Sequence, residues 1–443
     1  MRPLDVAAAA LEGRELDRLA VVGAGSSLGR AELDAAVTAR AEELRVQGVA
    51  EGSLHPVVLD ADLDGVLTLL ALWRLGTVPA PLNARSTERE REAAVARLDR
   101  APDGAQAVLW TSGTSGSPRG VALGRAGLEA HVRAATERLE LDGSEVWLAS
   151  LSPAHVGGLA LVARALLTGA ALVAHGPIDT HGLVRLLRRR DIDAHRPAVT
   201  HLSLVPTQLD RLLGAWGADP APSALRCVLI GGAHAPGDLV HRAVDAGWPV
   251  SLTYGMTEMW SQVATAPPAL TRSRPGTVGA PLPGVEVAFS VDGELLVRGP
   301  TRALGYVGSD DAPLADADGW YRTGDLGSLD DEGLLWITGR RSERIISGGV
   351  NVDPAEVEDV LRAHPAVRDA AVVGLPSREW GETVAAALVP VWDSFDLTEV
   401  EDYVRARLSG PKRPKMWKVE ANLPRNANGK VDRAAVADLF NMG

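Results

Sequence analysis

The chain has 443 residues, 46 % of them hydrophobic and 23 % charged, so it has ample apolar surface to bury and is neither a small disulfide-stapled module nor a disordered tail. A formal net charge of −12 speaks against nucleic acid or an anionic membrane held by bulk charge. The single cysteine, Cys227, excludes a disulfide framework or a multi-cysteine metal site.

The N-terminal stretch mixes charges into its apolar run and lacks the core of a secretory signal. No uncharged apolar run approaches the ~18 residues a membrane span needs. The expectation is a cytoplasmic enzyme of two or three structural units with no membrane span and no nucleic-acid partner. Only four lysines occur, Lys412, Lys415, Lys418 and Lys430, all near the C-terminus; elsewhere positive charge is written as arginine.

Along the chain, short apolar runs alternate with helix-length stretches. Strands are expected over 106–110, 146–149, 170–174, 198–204 and 226–230, and helices over 157–167, 181–190, 208–213 and 238–246. Such alternation predicts a largely parallel sheet covered by helices. From about Gly276 the texture becomes short strands between Gly, Pro and Asp turns, a β-rich stretch ending near Gly339. Helices over 354–363 and 398–408 and strands over 370–373 and 384–390 then make an α+β tail large enough for a domain.

Four segments carry chemistry. Thr111, Ser112, Gly113, Thr114, Ser115 and Gly116, followed by Ser117-Pro118-Arg119, open directly from a strand and offer N–H and O–H donors to phosphate oxygens. The Walker A spacing is absent, and an ordinary Gly/Ser turn has the same composition. Tyr254-Gly255-Met256-Thr257-Glu258 supplies an aromatic face, a hydroxyl and a carboxylate suited to Mg²⁺. Upstream, Gly231-Gly232-Ala233 would let a purine lie against backbone. In Tyr321-Arg322-Thr323-Gly324-Asp325, the aspartate suits a pair of ribose hydroxyls; Gly339-Arg340-Arg341-Ser342-Glu343 and Ser347-Gly348-Gly349 follow. Finally, Pro424-Arg425-Asn426-Ala427-Asn428-Gly429-Lys430 presents the last lysine on a loop.

In this order and spacing the segments resemble the adenylate-forming superfamily of acyl-CoA synthetases, peptide-synthetase adenylation domains and luciferases, from the helix around Leu33 to Lys430. The resemblance implies an α/β fold. A large N-terminal domain (1–340) of layered sheets and helices would include a β-rich subdomain at about 276–340. A small mobile α+β C-terminal domain (343–443) would follow a hinge near Ser342. It also implies ATP, Mg²⁺ and coenzyme A as cofactor and co-substrates. Thr111–Gly116 would grip the β- and γ-phosphates. Tyr254, Gly255, Gly231, Gly232 and Ala233 would line the adenine slot, and Thr257 would touch the α-phosphate. Glu258 would ligate Mg²⁺, and Asp325 with Arg340 would hold the ribose. Lys430 would be the catalytic lysine of adenylation, and Ser347, Gly348 and Gly349 would border the pantetheine passage after the small domain turns. The chain departs from the family pattern at Arg119, where lysine is usual, at Ser342 and at Val350.

For the acid, His155 in Ser152-Pro153-Ala154-His155-Val156-Gly157-Gly158 matches a position where acyl- and aryl-CoA ligases often carry histidine. No aspartate lies between Asp142 and Asp179 to hold an α-amino group, so an amino acid is disfavoured. The runs GRRSERIISGGVNVDPAEVE and Thr200–Leu209 look most like the o-succinylbenzoate–CoA ligases of menaquinone synthesis, which handle an aromatic acid with a second carboxylate. His155, Gly158, His201, Ser203, Thr207 and Arg196 are candidates to line the acid.

Benzoate-type or medium-chain ligases, transfer to an acyl carrier protein, and a homodimer stay open. A catalytically inactive nucleotide-binding homologue would need a broken Lys430, Glu258 or phosphate loop, and none is broken. One rival comes from Val21-Val22-Gly23-Ala24-Gly25-Ser26-Ser27-Leu28-Gly29, which mimics a dinucleotide fingerprint. With only about two strand residues before it and no acidic residue ending a second strand, it reads as a hairpin turn.

Overall fold

The computed structural model describes residues 2–84, 86–98, 100–111, 119–189, 195–307, 313–392, 394–425 and 431–441. Alternating strands and helices produce the expected parallel sheet. Its six central strands run, side by side, as Val250–Met256, Cys227–Ile230, His201–Leu204, Val146–Leu148, Ala171–Val173 and Leu19–Val22. Ser261–Thr265 and Ser27–Gly29 close the two edges in antiparallel sense. Central strands such as Cys-Val-Leu-Ile and Val-Trp-Leu are buried at every position, as expected where helices cover both faces. The Gly-rich segment near Gly23 is the expected hairpin: Val22 pairs with Ser27, and Gly23 N–H bonds the Ser26 carbonyl at 2.7 Å.

Helix Val156–Thr168 shows how sequence sets an element's limits. Leu159, Val162 and Leu166 recur on its buried side, and Gly169 ends it in the left-handed region at φ 85°. Arg14 and Arg30 then bond the carbonyls of Leu167 and Gly169 at 2.5 and 2.7 Å, satisfying acceptors that the helix end leaves open.

The chain forms two compact units, residues 1–232, 243–287 and 297–321 in the first and 233–242, 288–296 and 322–443 in the second. The first holds the eight-stranded sheet, a core built on Leu69, Leu70, Trp73, Trp147 and Leu172, and a smaller sheet of Ala105–Thr111, Arg119–Gly124 and Gly305–Val307.

The second unit is built around the long hairpin of Val367–Ser377 and Gly381–Pro390. Side-chain alternation sends Ala370, Val372, Val384 and Ala386 to one apolar cluster, with Val357 and Leu361 of helix Pro354–Arg362 and Val400 and Val404 of helix Leu397–Arg407. It sends Ala371, Val373, Ala385 and Ala387 to another, with Val436 of helix Arg433–Asn441. Among the described residues no helix is long and apolar enough to cross a membrane.

Candidate active site

The six parallel strands end on one edge, and chain order reverses there. From Val146–Leu148 the chain moves to Ala171–Val173 on one side, then returns to His201–Leu204 on the other. Such a switch point is where open α/β sheets receive ligands. Ser150 and His155 follow the first of these strands, and Thr207, in the first turn of helix Pro206–Trp216, follows the third. The Ser150 hydroxyl donates to the Ser203 carbonyl, tying the two strand ends across the switch. His155 is the N-terminal cap residue of helix Val156–Thr168, its Nε2 3.3 Å from Asn83 Nδ2.

Further along the same edge, register pairs Ile230 with Leu252, so Gly231 and Thr253 emerge side by side, with Gly232 and Tyr254 just beyond. A bulge separates Tyr254 from Gly255, where a Cβ would fall 1.7 Å from the Ser261 carbonyl oxygen; only glycine fits. The strand therefore turns sharply into Thr257–Met259. Trp260, buried at φ 50°, pins the turn by donating its indole N–H to the Gly124 carbonyl at 2.8 Å.

Glu258 leaves this turn half-buried. Its carbonyl accepts from Ala303 N–H at 2.8 Å, and its carboxylate Oε1 accepts from the Tyr306 hydroxyl at 3.3 Å. The Tyr321 hydroxyl is hydrogen-bonded to both Tyr306 and Glu258. Burial first, and then the Glu258 charge, pushes both phenols above their ordinary pKa, so at neutral pH each keeps its proton to donate. Arg119 lies 5.4 Å from the Tyr306 ring centroid and, across its strand pair, faces Thr111.

Glu258 fits the implied Mg²⁺. It is an oxygen donor with acceptor capacity to spare, and no group of three or more metal-binding side chains occurs among the described residues. Magnesium is commonly held by one or two carboxylates plus substrate phosphates rather than by an all-protein cage. Ser112, Gly113, Thr114, Ser115, Gly116 and Lys430 lie outside the described residues.

Of the other acid-lining candidates, His201 lies away from this edge. His201 begins its strand, at the end opposite the switch-point edge. It is 5 % exposed, 4.8 Å from the Trp147 ring and bonded through Nδ1 to Thr200 Oγ1 at 2.8 Å, and burial drives its pKa down to about 3. Ser203 is also 5 % exposed, and Arg196 is exposed. Gly158 has a packing reason: a Cβ there would lie 2.2 Å from the Ser152 carbonyl oxygen. His155 and Thr207 follow the strand ends at the edge.

In the second unit, Asp325 and Arg340 are register partners on adjacent strands, with Arg340 Nε donating to Asp325 Oδ1 at 2.7 Å. Asp325 is 6 % exposed. Ser347-Gly348-Gly349-Val350 is a two-residue hairpin with φ of 59° and 77° at its glycines, as a type I′ turn demands. Gly348 N–H also bonds the Trp380 carbonyl at 2.9 Å, and the buried Ser347 hydroxyl has no partner among the described residues. Ala233 belongs to this unit as well.

Sequence reasoning missed Asn83, Ser150, Tyr306 and the role of Tyr321. Tyr321 opens a recognised motif and could have been found; Tyr306, between Gly305 and Val307, had no local signal.

Comparison with known proteins places this geometry. Residues 97–307 match the AMP-binding enzyme family and residues 356–430 match the AMP-binding enzyme C-terminal domain. A 2-succinylbenzoate–CoA ligase of Bacillus cereus is 33 % identical over 454 aligned residues, covering 92 % of each chain. Its counterpart in Bacillus mycoides is 38 % identical over 76 % of this chain and 70 % of its own. Among solved structures, o-succinylbenzoate CoA synthetase of Bacillus subtilis with an acyl-adenylate intermediate superimposes at TM-score 0.88, 29 % identity and 98 % coverage of both chains. The same enzyme with ATP and magnesium ion gives TM-score 0.86 at 29 % identity, covering 97 % of this chain and 98 % of that one. With a switch-point edge that ends in Tyr254, Thr257 and Glu258, and with relatives aligned from end to end, the chain belongs to the AMP-binding, adenylate-forming enzyme family.

Proposed function

We propose that this enzyme joins o-succinylbenzoate to coenzyme A with consumption of ATP, in the cytoplasm, as a step of menaquinone synthesis. The observation that carries the reading is the alignment with 2-succinylbenzoate–CoA ligase over 92 % of both chains. In the first half-reaction a carboxylate oxygen of the acid bonds to the α-phosphorus of ATP, the α–β phosphoanhydride bond breaks, and pyrophosphate leaves. In the second, the coenzyme A thiol attacks the acyl carbon, the mixed-anhydride C–O bond breaks, and AMP leaves as the thiol proton is lost.

The first half-reaction brings like charges together, so the residues must offset negative charge and fix orientation. Tyr254 would stack on adenine beside Gly231 and Gly232. Asp325, steadied by Arg340, would hold the ribose hydroxyls. Thr257 would contact the α-phosphate, and Lys430 would bring a compact ammonium to the developing charge. Glu258 would hold Mg²⁺, which when bound neutralises phosphate charge. His155 and Thr207, at the switch point, would border the acid. Ser347, Gly348 and Gly349 would flank the pantetheine chain in the second half-reaction. Residues 343–443 would turn about a hinge near Ser342 between the two.

The test is ATP–pyrophosphate exchange with o-succinylbenzoate, benzoate and octanoate. The expected result is exchange strongest with o-succinylbenzoate, and absence of exchange with it eliminates the assignment. In the same assay Lys430→Ala should lower adenylation by about 10²–10³-fold, the scale for losing one preorganised charge-stabilising group. It should spare thioester formation from preformed adenylate; equal loss of both removes the lysine's role.

A further inference from the structure

We propose that Tyr306 and Tyr321 are positioning residues that aim the Glu258 carboxylate at the metal; the inference rests on the reading of Glu258 as a Mg²⁺ ligand. A glutamate has three side-chain torsions, and a half-buried carboxylate can meet a cation in many orientations. Magnesium accepts few of them, because it demands near-ideal octahedral geometry at ~2.0–2.1 Å. Something must therefore fix Glu258 before the nucleotide arrives.

The structure supplies three restraints. The Ala303 N–H holds the Glu258 carbonyl at 2.8 Å, the Tyr306 hydroxyl holds carboxylate Oε1 at 3.3 Å, and the Tyr321 hydroxyl bridges the two side chains. With the Tyr306 hydroxyl engaged at Oε1, the carboxylate retains acceptor capacity for a ligand. Tyr306 is itself held in place. It sits in a strand, paired with Val121, and the Arg119 guanidinium lies 5.4 Å from its ring centroid.

This gives the arginine at position 119 a use of its own. A planar guanidinium rests on an aromatic face in a way that a flexible ammonium does not. Arg119 closes the segment 112–118, so the same side chain that ends the phosphate loop braces the tyrosine that aims the metal ligand. Partners that orient a metal-binding carboxylate are typically worth ~10–100-fold in metal affinity.

The experiment measures Mn²⁺ binding to the enzyme–ATP complex by electron paramagnetic resonance, alongside ATP binding in the presence of chelator. Tyr306→Phe and Tyr321→Phe each remove one oxygen and should weaken Mn²⁺ binding by about 10-fold or more, with metal-free ATP binding changed less than about twofold. Arg119→Lys should give a smaller loss in the same direction. Unchanged Mn²⁺ binding in both Phe variants overturns the inference, as does an equal loss of ATP affinity with and without metal, since that is general damage to the pocket. Glu258→Gln separates the two levels. If it weakens Mn²⁺ binding and the tyrosine variants do not, only the positioning role falls. If Glu258→Gln binds Mn²⁺ normally, the ligand assignment falls and the inference with it.

Discussion

An arginine in each unit is kept in an opposite way. In the first, Arg164 is 2 % exposed and lies 4.5 Å from the Trp147 ring. It donates to Gln262 Oε1 at 2.7 Å and has no carboxylate partner among the described residues. His131 and His201 are buried near it as neutral rings. In the second, an alternating chain of ion pairs runs from Arg425 to Asp369, Arg362, Glu358, Arg433 and Glu343. A large parallel sheet can absorb a few uncompensated polar groups because apolar burial dominates its stability. The smaller unit has an apolar cluster on either side of one hairpin, and directional charge pairs link its helices and strands. Those pairs anchor Arg425 and Arg433, the residues on either side of the segment that carries Lys430.

The largest expected effect tests the first unit by pH. Burial, then the Arg164 charge, holds His131 near pKa 3, and burial, then Arg226 and Arg164, does the same to His201, against 6.5 when unfolded. Between those values the unfolded chain binds more protons, so this stability is complete above pH 6.5 and declines as pH falls toward 3. Each histidine contributes about 1.4 kcal/mol per pH unit, so the pair should cost about 4 kcal/mol at pH 5. Hydrogen exchange should rise in strands Val146–Leu148 and His201–Leu204 on acidification. His131→Gln should flatten the slope, and an unchanged slope would contradict the burial of a neutral ring there.

In the second unit the matching change is Arg433→Met. Arg433 donates to Glu358 at 2.5 Å, to Glu343 at 2.8 Å and to the Val372 carbonyl at 2.7 Å, and the Glu358 side chain is only 6 % exposed. The variant leaves that carboxylate with Arg362 at 3.5 Å as its remaining ion pair. Losing one partner of a buried pair costs about 3 kcal/mol. The loss should show as faster exchange in the hairpin Val367–Pro390. A hairpin as protected as the parent's would mean that the apolar clusters suffice.

The difference between the units also explains what the sequence disclosed. Strand–helix alternation announced the parallel sheet, because runs such as Cys227–Ile230 are apolar on both faces, and local motifs singled out Asp325 and Arg340, which the structure pairs across two strands. Contacts between segments far apart in the chain stayed hidden. Nothing near Tyr306 indicates that it meets Glu258, 48 residues earlier, or that Arg433 meets Glu343, 90 residues earlier. The neighbours of His201 look like a ligand-lining run, and strand polarity, which no local pattern reveals, puts it at the end away from the switch point. The paired glycines at 348 and 349 answered a turn requirement that composition alone does not separate from a ligand passage.

The smallest expected effect is the most discriminating. Arg164→Met replaces a buried cation with an apolar side chain of similar reach. It sacrifices the ring contact and leaves Gln262 Oε1 without that donor, while Gln262 keeps its bond to Thr265 Oγ1 at 2.7 Å. Against those losses stands relief from desolvation, which already lowers the Arg164 pKa to about 10, and from a guanidinium Nε that has no partner among the described residues. The opposing contributions are each of order 1–3 kcal/mol, so urea unfolding should place the variant within about 1 kcal/mol of the parent. It should also reduce the acid sensitivity of His131, whose proton affinity the Arg164 charge suppresses. A loss as large as that from Arg433→Met would mean that the first unit, too, depends on a charge held in place, and the contrast between the units would disappear.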